Sequence, residues 1–232
     1  MSSNVSGGNV GRSEGRGSTL RGNIVRYTVG ERTNHWIVAI AFILAALSGL
    51  AMFHPALFWL SDLFGGGPWT RVLHPFLGLV MVIGFVLLAG RVQSDNRMTP
   101  ADWQWLKQWR DVVNNREERL PEVGRFNAGQ KLLLLVLALC LAGLFLSGFV
   151  IWRTYFAFYF PIPVIRLAAL VHAVCAFVLI TAIIVHIYAG IWVKNSMSAM
   201  TRGTVSPGWA WKHHRAWFRE VINAARSRPG PN

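Results

Sequence analysis

VIRLAALVHAVCAFVLITAIIVHIYAGIWV, residues 164–193, is the stretch on which the fold turns. From Leu167 to Val193 it runs 27 residues without a formal charge. A helix needs roughly 20 apolar residues to cross a bilayer. His172 and His186 interrupt the run. Fourteen helical positions advance about 21 Å and bring the second imidazole back to within about 40° of the first. One helix therefore presents two nitrogen ligands on nearly one face, at two depths. The plainer alternative is two histidines hydrogen-bonded inside a helix bundle. Ionisable side chains are costly in a membrane and usually functional there, so the spacing predicts two stacked metal centres. Each then needs a second histidine from elsewhere in the chain.

The composition agrees with a membrane setting. Hydrophobic residues make up 53% of the 232 and charged residues 14%, too apolar for an ordinary soluble domain. A net charge of +13 suits nucleic acid, but the basic residues flank the apolar runs instead of forming one patch. No nucleic-acid partner is expected, and the charge reads as an orientation signal in contact with lipid. Cys140 and Cys175 fall inside apolar runs without a CxxC spacing and read as packing residues. No internal repeat is evident.

In chain order, residues 1–23 are rich in Gly, Ser and Arg and are expected to be a disordered tail. The first apolar run is Trp36 to Phe53, with His35 at its threshold and His54 just past its other end. The second, Val72 to Gly90, opens RVLHPFLG, which puts His74 inside the first turn and makes Pro75 tolerable there. A polar stretch of about forty residues follows, in which Thr99-Pro100 starts a helix. Trp103, Leu106, Trp109 and Val113 recur at helical spacing opposite Lys107 and Arg110, the pattern of one helix lying at the membrane surface. Leu132 to Trp152 is the third run and the opening stretch is the fourth. Ser206-Pro207 then caps WAWKHHRAWFREVINAAR, a second interfacial segment whose His213 and His214 read as solvated.

The expected fold is all-α: an integral membrane four-helix bundle over residues 24–200, with helices at about 35–54, 72–92, 130–152 and 164–194. Residues 201–232 form an amphipathic C-terminal segment. Of the 23 Lys and Arg residues, 20 lie before the first helix, between the second and third, or after the fourth. Only Arg71, Arg153 and Arg166 lie in the other two loops. By the positive-inside rule both termini are cytoplasmic.

That orientation sorts the histidines by depth. His35 and His186 share the cytoplasmic side, and His74 and His172 the outer side. Imidazole binds zinc, copper and iron alike, and a closed zinc site wants four ligands at one depth. Two per level, in an apolar bundle with Gly49, Gly78, Gly84, Gly143, Gly148 and Gly190 making room, fit two bis-histidine haems better. The porphyrin then supplies the other four nitrogens. His54 is the spare on the outer side, an interfacial residue unless it displaces His74 from the pairing.

NHW (34–36), RVLHPFLG (71–78), GRFNAGQK (124–131), SGFVIWR (147–153), YFPIPVIRLAALVHA (159–173), HIYAGIWVKNSM (186–197) and VSPGWAWKHH (205–214) together resemble the gamma, or cytochrome b, subunit of respiratory formate dehydrogenases. The resemblance runs from about residue 24 to 220. It implies four transmembrane helices in a bacterial inner membrane and two b haems held by His35, His74, His172 and His186. It also implies an iron–sulfur (beta) subunit and a catalytic molybdenum or tungsten (alpha) subunit as partners, and a higher oligomer of that heterotrimer is compatible with it. Electrons would pass from the periplasmic side across the haems to quinone near the cytoplasmic face. Formate oxidation itself would belong to another subunit, since this chain has no ligand set for molybdenum, tungsten or iron–sulfur clusters. The alternative partner is a related hydrogenase or thiosulfate reductase. A third possibility is a membrane anchor or transporter whose histidines relay protons.

GRFNAGQK supports two readings. Asn127 with Gln130 three residues on is a capping box. The same residues offer amide donors, and Gly129 lets a planar ring approach the backbone. The resemblance favours the second, because the family's quinone pocket matches Asn127, Gly129 and Gln130. On the outer side, Arg71, Arg153 and Arg166 are either snorkelling helix-end residues or partners for haem propionates. The second is expected for one or two of them, Arg71 and Arg166 foremost.

Overall fold

The computed structural model describes residues 22–114 and 116–227, so most of the expected N-terminal tail lies outside the described residues. Among the described residues the fold is all-α apart from one short strand pair, and four helices are long and apolar enough to cross a membrane: α1 (Val29–Phe53), α2 (Gly67–Val92), α5 (Ala128–Ile151) and α6 (Ile162–Trp192). Between α2 and α5 lie the short helices α3 (Pro100–Lys107) and α4 (Trp109–Val113). After α6 come α7 (Ser196–Thr201), α8 (Pro207–His213) and α9 (Arg215–Ser227). Strand β1 (Ile24–Val25) pairs antiparallel with β2 (Thr204–Val205), joining the segment before α1 to the segment after α7.

Local chemistry moves several helix starts. α1 begins six residues before His35 because Thr28 and Glu31 form a capping box: the Thr28 hydroxyl accepts from the Glu31 N–H at 3.2 Å, and Glu31 accepts from the Thr28 N–H at 2.7 Å. In α2 the first-turn proline is Pro68, not Pro75. Pro75 therefore lies inside the helix, where it denies the Arg71 carbonyl its usual donor. The expected single surface helix is two. Thr99 caps α3 with Asp102 as anticipated, but the helix ends at Gln108, whose φ of −93° and ψ of 27° are not helical. Lys131 fastens α3 to α5 by donating to the Asp102 carboxylate at 2.7 Å and to the Arg97 carbonyl at 2.8 Å, and both charged side chains of the pair are buried.

The long helices form two antiparallel hairpins. α1 packs along α2, and α5 along α6. The hairpins meet around Ala41, Met81, Phe85, Cys140, Leu141 and Leu179. Small residues close each hairpin. A Cβ on Gly84 would lie 2.7 Å from Val38 Cγ2, and one on Gly143 2.6 Å from the Cys175 sulfur. By contrast, α6 makes little close backbone approach to α1 or α2. In α6 only Ala168 and Leu179 are buried, so most of its apolar surface faces outward or into the gap between hairpins.

The end of the molecule where β1 and β2 pair has its own small core of Ala199, Val205, Trp209, Ala210 and Trp217, with Tyr27 and Phe218 against it. Arg26 is buried in it, its guanidinium 4.6 Å from the Trp217 ring centre and 5.4 Å from that of Trp209. It donates to the Arg125 carbonyl and lies 3.2 Å from His214 Nε2. His214 is therefore not solvated: it is 2% exposed, with Nδ1 2.9 Å from the Gly124 carbonyl. Burial, with Arg26 beside it, pushes its pKa down to about 3. Arg125 completes this end by pairing with Glu31 at 2.8 Å and Asp95 at 3.1 Å.

Candidate functional site

Four helical histidines meet in two pairs, at two levels. The rings of His35 (α1) and His186 (α6) lie 6.3 Å apart between centres, and those of His74 (α2) and His172 (α6) 6.2 Å apart. Each pair bridges helices whose backbones otherwise stay apart. His54 takes no part. It is exposed and caps the 3₁₀ turn Pro55–Phe64, its Nδ1 accepting from the Ala56 N–H at 3.2 Å.

The geometry can be tested against the cofactor. An iron bound by two imidazole nitrogens at roughly 2 Å separates the ring centres by about 6 Å, because each centre lies about 1 Å behind its nitrogen. Both pairs have that separation. Among the described residues no group of three or more His, Cys, Asp and Glu side chains converges as a metal site. The pairs thus lack the further protein ligands that a closed zinc site uses. His35 Nδ1 is buried without a hydrogen-bond partner. The residues present fit two axially ligated haems.

Two serines that sequence reasoning missed steady the second pair. Ser48 Oγ lies 2.9 Å from His74 Nδ1, and Ser147 Oγ lies 3.0 Å from His172 Nδ1. The next residue in each case is glycine, and its absent side chain leaves room for the ring. A Cβ would come within 3.2 Å of His74 Cε1 at Gly49 and 3.3 Å of His172 Cε1 at Gly148. The two hairpins thus repeat one device, Ser-Gly on the first helix clasping a histidine on the second. The signal was present as LSGLAMF (47–53) and LSGFVIW (146–152), too short to register as a repeat. Of the glycines expected to make room, Gly49 and Gly148 face histidines, whereas Gly84 and Gly143 face helix neighbours.

At the opposite level, Asn127 and Gln130 form the capping box in full. Asn127 Oδ1 accepts from the Gln130 N–H at 2.9 Å, and Gln130 Oε1 accepts from the Asn127 N–H at 3.0 Å. Both bonds use side-chain oxygens, so the two amide NH₂ groups take no part in the cap. Gly129 admits a planar ring, and within the chain that ring is Trp105 of α3, 3.3 Å from where a Cβ would be. Trp105 lies off the amphipathic stripe of its segment, which was its only signal in the sequence. Arg71, Arg153 and Arg166 are exposed, and none has a carboxylate partner among the described residues. Arg71 and His54 line a cleft of about 430 Å³ between α1, the 3₁₀ turn and α2.

Comparison with known proteins bears on the same elements. The prokaryotic cytochrome b561 family matches residues 26–203, a span holding all four paired histidines. The cytochrome b556(fdo) subunit of an Escherichia coli formate dehydrogenase is 46% identical over 201 residues, covering 87% of this chain and 94% of that one. The cytochrome b556(Fdn) subunit of the nitrate-inducible formate dehydrogenase of Escherichia coli is 40% identical over 201 residues, 87% and 93% of the two chains. A formate dehydrogenase cytochrome b556 subunit of Haemophilus influenzae is 38% identical over 199 residues, 86% and 84%. The chain belongs to the prokaryotic cytochrome b561 family and, within it, to the cytochrome b556 subunits of formate dehydrogenases.

Proposed function

We propose that this chain is the membrane electron-transfer and quinone-reducing subunit of a respiratory formate dehydrogenase. The two histidine pairs carry the reading, since they match in depth, in ring separation and in the gap they bridge. His74 with His172 would hold one b haem and His35 with His186 a second. A haem held there would supply one-electron redox chemistry between the ferric and ferrous states of its iron. The chain's own contribution is to fix the imidazole rings, to exclude water with apolar helices, and to space the two levels along α6.

Quinone would bind at the start of α5. There the NH₂ groups of Asn127 and Gln130 are the available donors, and Gly129 with Trp105 forms a flat wall. The excess of Lys and Arg at that end supports a cytoplasmic placement and an inner-membrane location. An iron–sulfur subunit and a molybdenum or tungsten subunit would then dock at the opposite face. Arg71 and Arg166, exposed and without carboxylate partners among the described residues, would meet propionates of the outer haem.

Reduced-minus-oxidised spectra of the purified protein test the assignment. Two low-spin b haems are expected. His74→Ala or His172→Ala should remove one of them, and His35→Ala or His186→Ala the other. If His172→Ala protein kept both haems with unchanged spectra, the pairing would fail. Partners that co-purify distinguish a formate dehydrogenase from a related hydrogenase or thiosulfate reductase, which the same pairs would serve equally well.

A further inference from the structure

The two histidine pairs differ in what stands behind their rings. The Ser48 hydroxyl has one hydrogen, and it lies 2.8 Å from the Leu44 carbonyl and 3.0 Å from that of Ala45. Carbonyl oxygens only accept, so the hydroxyl has acceptors of its own and is free to accept from His74. With Nε2 as the ligand, the ring's one proton sits on Nδ1, and Ser48, 2.9 Å away, is its acceptor. Ser147 repeats the arrangement: it lies 2.6 Å from the Gly143 carbonyl and 3.0 Å from His172 Nδ1. The other pair has nothing equivalent. His35 Nδ1 is buried and unpartnered, and no hydrogen bond engages the His186 ring among the described residues.

An acceptor on the far nitrogen fixes the tautomer and makes the coordinating nitrogen more basic. A more basic axial ligand favours the higher charge of ferric iron, and second-shell hydrogen bonding is one of the protein's levers on a haem potential. We propose that Ser48 and Ser147 are positioning residues which lower the potential of the haem at His74 and His172. That haem then becomes the weaker oxidant of the two and passes electrons toward His35 and His186. This inference rests on the dihaem reading above. It assigns the direction of transfer to two hydroxyls, with no rearrangement of the protein required.

Spectroscopic redox titration of the holoprotein provides the test. Ser48→Ala and Ser147→Ala should each raise the midpoint of the haem held by His74 and His172, the double variant most of all. Cysteine, a weak acceptor of similar size, should fall between serine and alanine. The other haem's midpoint should stay put. Serines that served only to pack or to bond their own helix would leave both midpoints unmoved, and that result in a double variant retaining both haems overturns the proposal. Histidine ¹⁵N spectra of the reduced wild-type holoprotein give a second reading that does not depend on how variants fold. Two hydrogen-bonded and two unbonded Nδ1–H groups are expected, and four alike would also overturn it. A wild-type protein binding fewer than two haems would instead overturn the dihaem reading itself.

Discussion

A histidine takes its meaning from what surrounds it, and this chain of seven shows several cases. His54 caps a turn, four others pair across a gap, and His214 is sealed among aromatic rings with Arg26 at its edge. A cation cannot easily form beside that guanidinium in a buried site, hence the pKa of about 3 against an ordinary 6.5. The folded state binds fewer protons than the unfolded state between those values, so His214 stabilises the fold fully above pH 6.5. That contribution is lost as pH falls from 6.5 toward about 3. The full effect is on the order of 5 kcal/mol at about 1.4 kcal/mol per unit. Protection factors of α8 and α9 amides in hydrogen exchange should therefore drop over that window. His214→Gln should flatten the dependence while retaining an amide to bond the Gly124 carbonyl. A pH profile identical in the two proteins would mean that other groups control this end of the molecule.

At the scale of elements, the start of α5 serves two purposes with one set of side chains. The cap uses oxygens, and the proposed quinone contact uses NH₂ groups, so the two are separable by substitution. Aspartate caps as well as asparagine and glutamate suits the third position of the box. Asn127→Asp and Gln130→Glu should thus leave the helix start within about 0.5 kcal/mol of its original stability. They should cut quinone turnover at least tenfold while both haems are still reduced by the donor. Asn127→Ala loses the cap as well, at about 1 kcal/mol. If Asn127→Asp turned over like the parent, the asparagine would be a cap and nothing more. The neighbouring Lys131–Asp102 pair holds α3 and Trp105 against this same corner. Burial raises the Asp102 pKa, but hydrogen bonds from Lys131 and Thr99 outweigh it and keep the carboxyl below its usual range.

For the whole molecule, the two levels of histidines are 14 residues apart on α6, about 21 Å along the axis. If electrons enter at His74 and His172 and quinone is reduced at the basic end, each electron crosses most of the bilayer. Moving one charge through 100 mV is worth ~2.3 kcal/mol. The protons that complete the quinol would come from the cytoplasm, so turnover stores energy without a pump. In proteoliposomes holding the complex in one orientation, quinone reduction should make the donor side positive and the opposite side alkaline. Turnover with no membrane potential would place the quinone pocket near His74 and His172 instead.

The sequence by itself determined the class, the four apolar helices and the two depths at which the histidines stand, and it left His54 as a rival to His74 that only the structure set aside. Each follows from one-dimensional signals: an uncharged run long enough to span lipid, the sidedness of Lys and Arg, and residues ordered by depth along helices. The sequence also held the caps at Thr99 and Asn127, since these act over three residues. Other features depended on which helix faces which. Ser48 and Ser147 are 26 and 25 residues from the histidines they meet. His214 reaches Arg26 across 188 residues, and Lys131 reaches Asp102 across 29. Hydrogen bonds of that kind form between side chains that only packing brings together. Helical periodicity gives the face of each helix but not the rotation of one helix against the next. The tertiary structure decided that rotation, and with it which rings are backed by a hydroxyl and which are not.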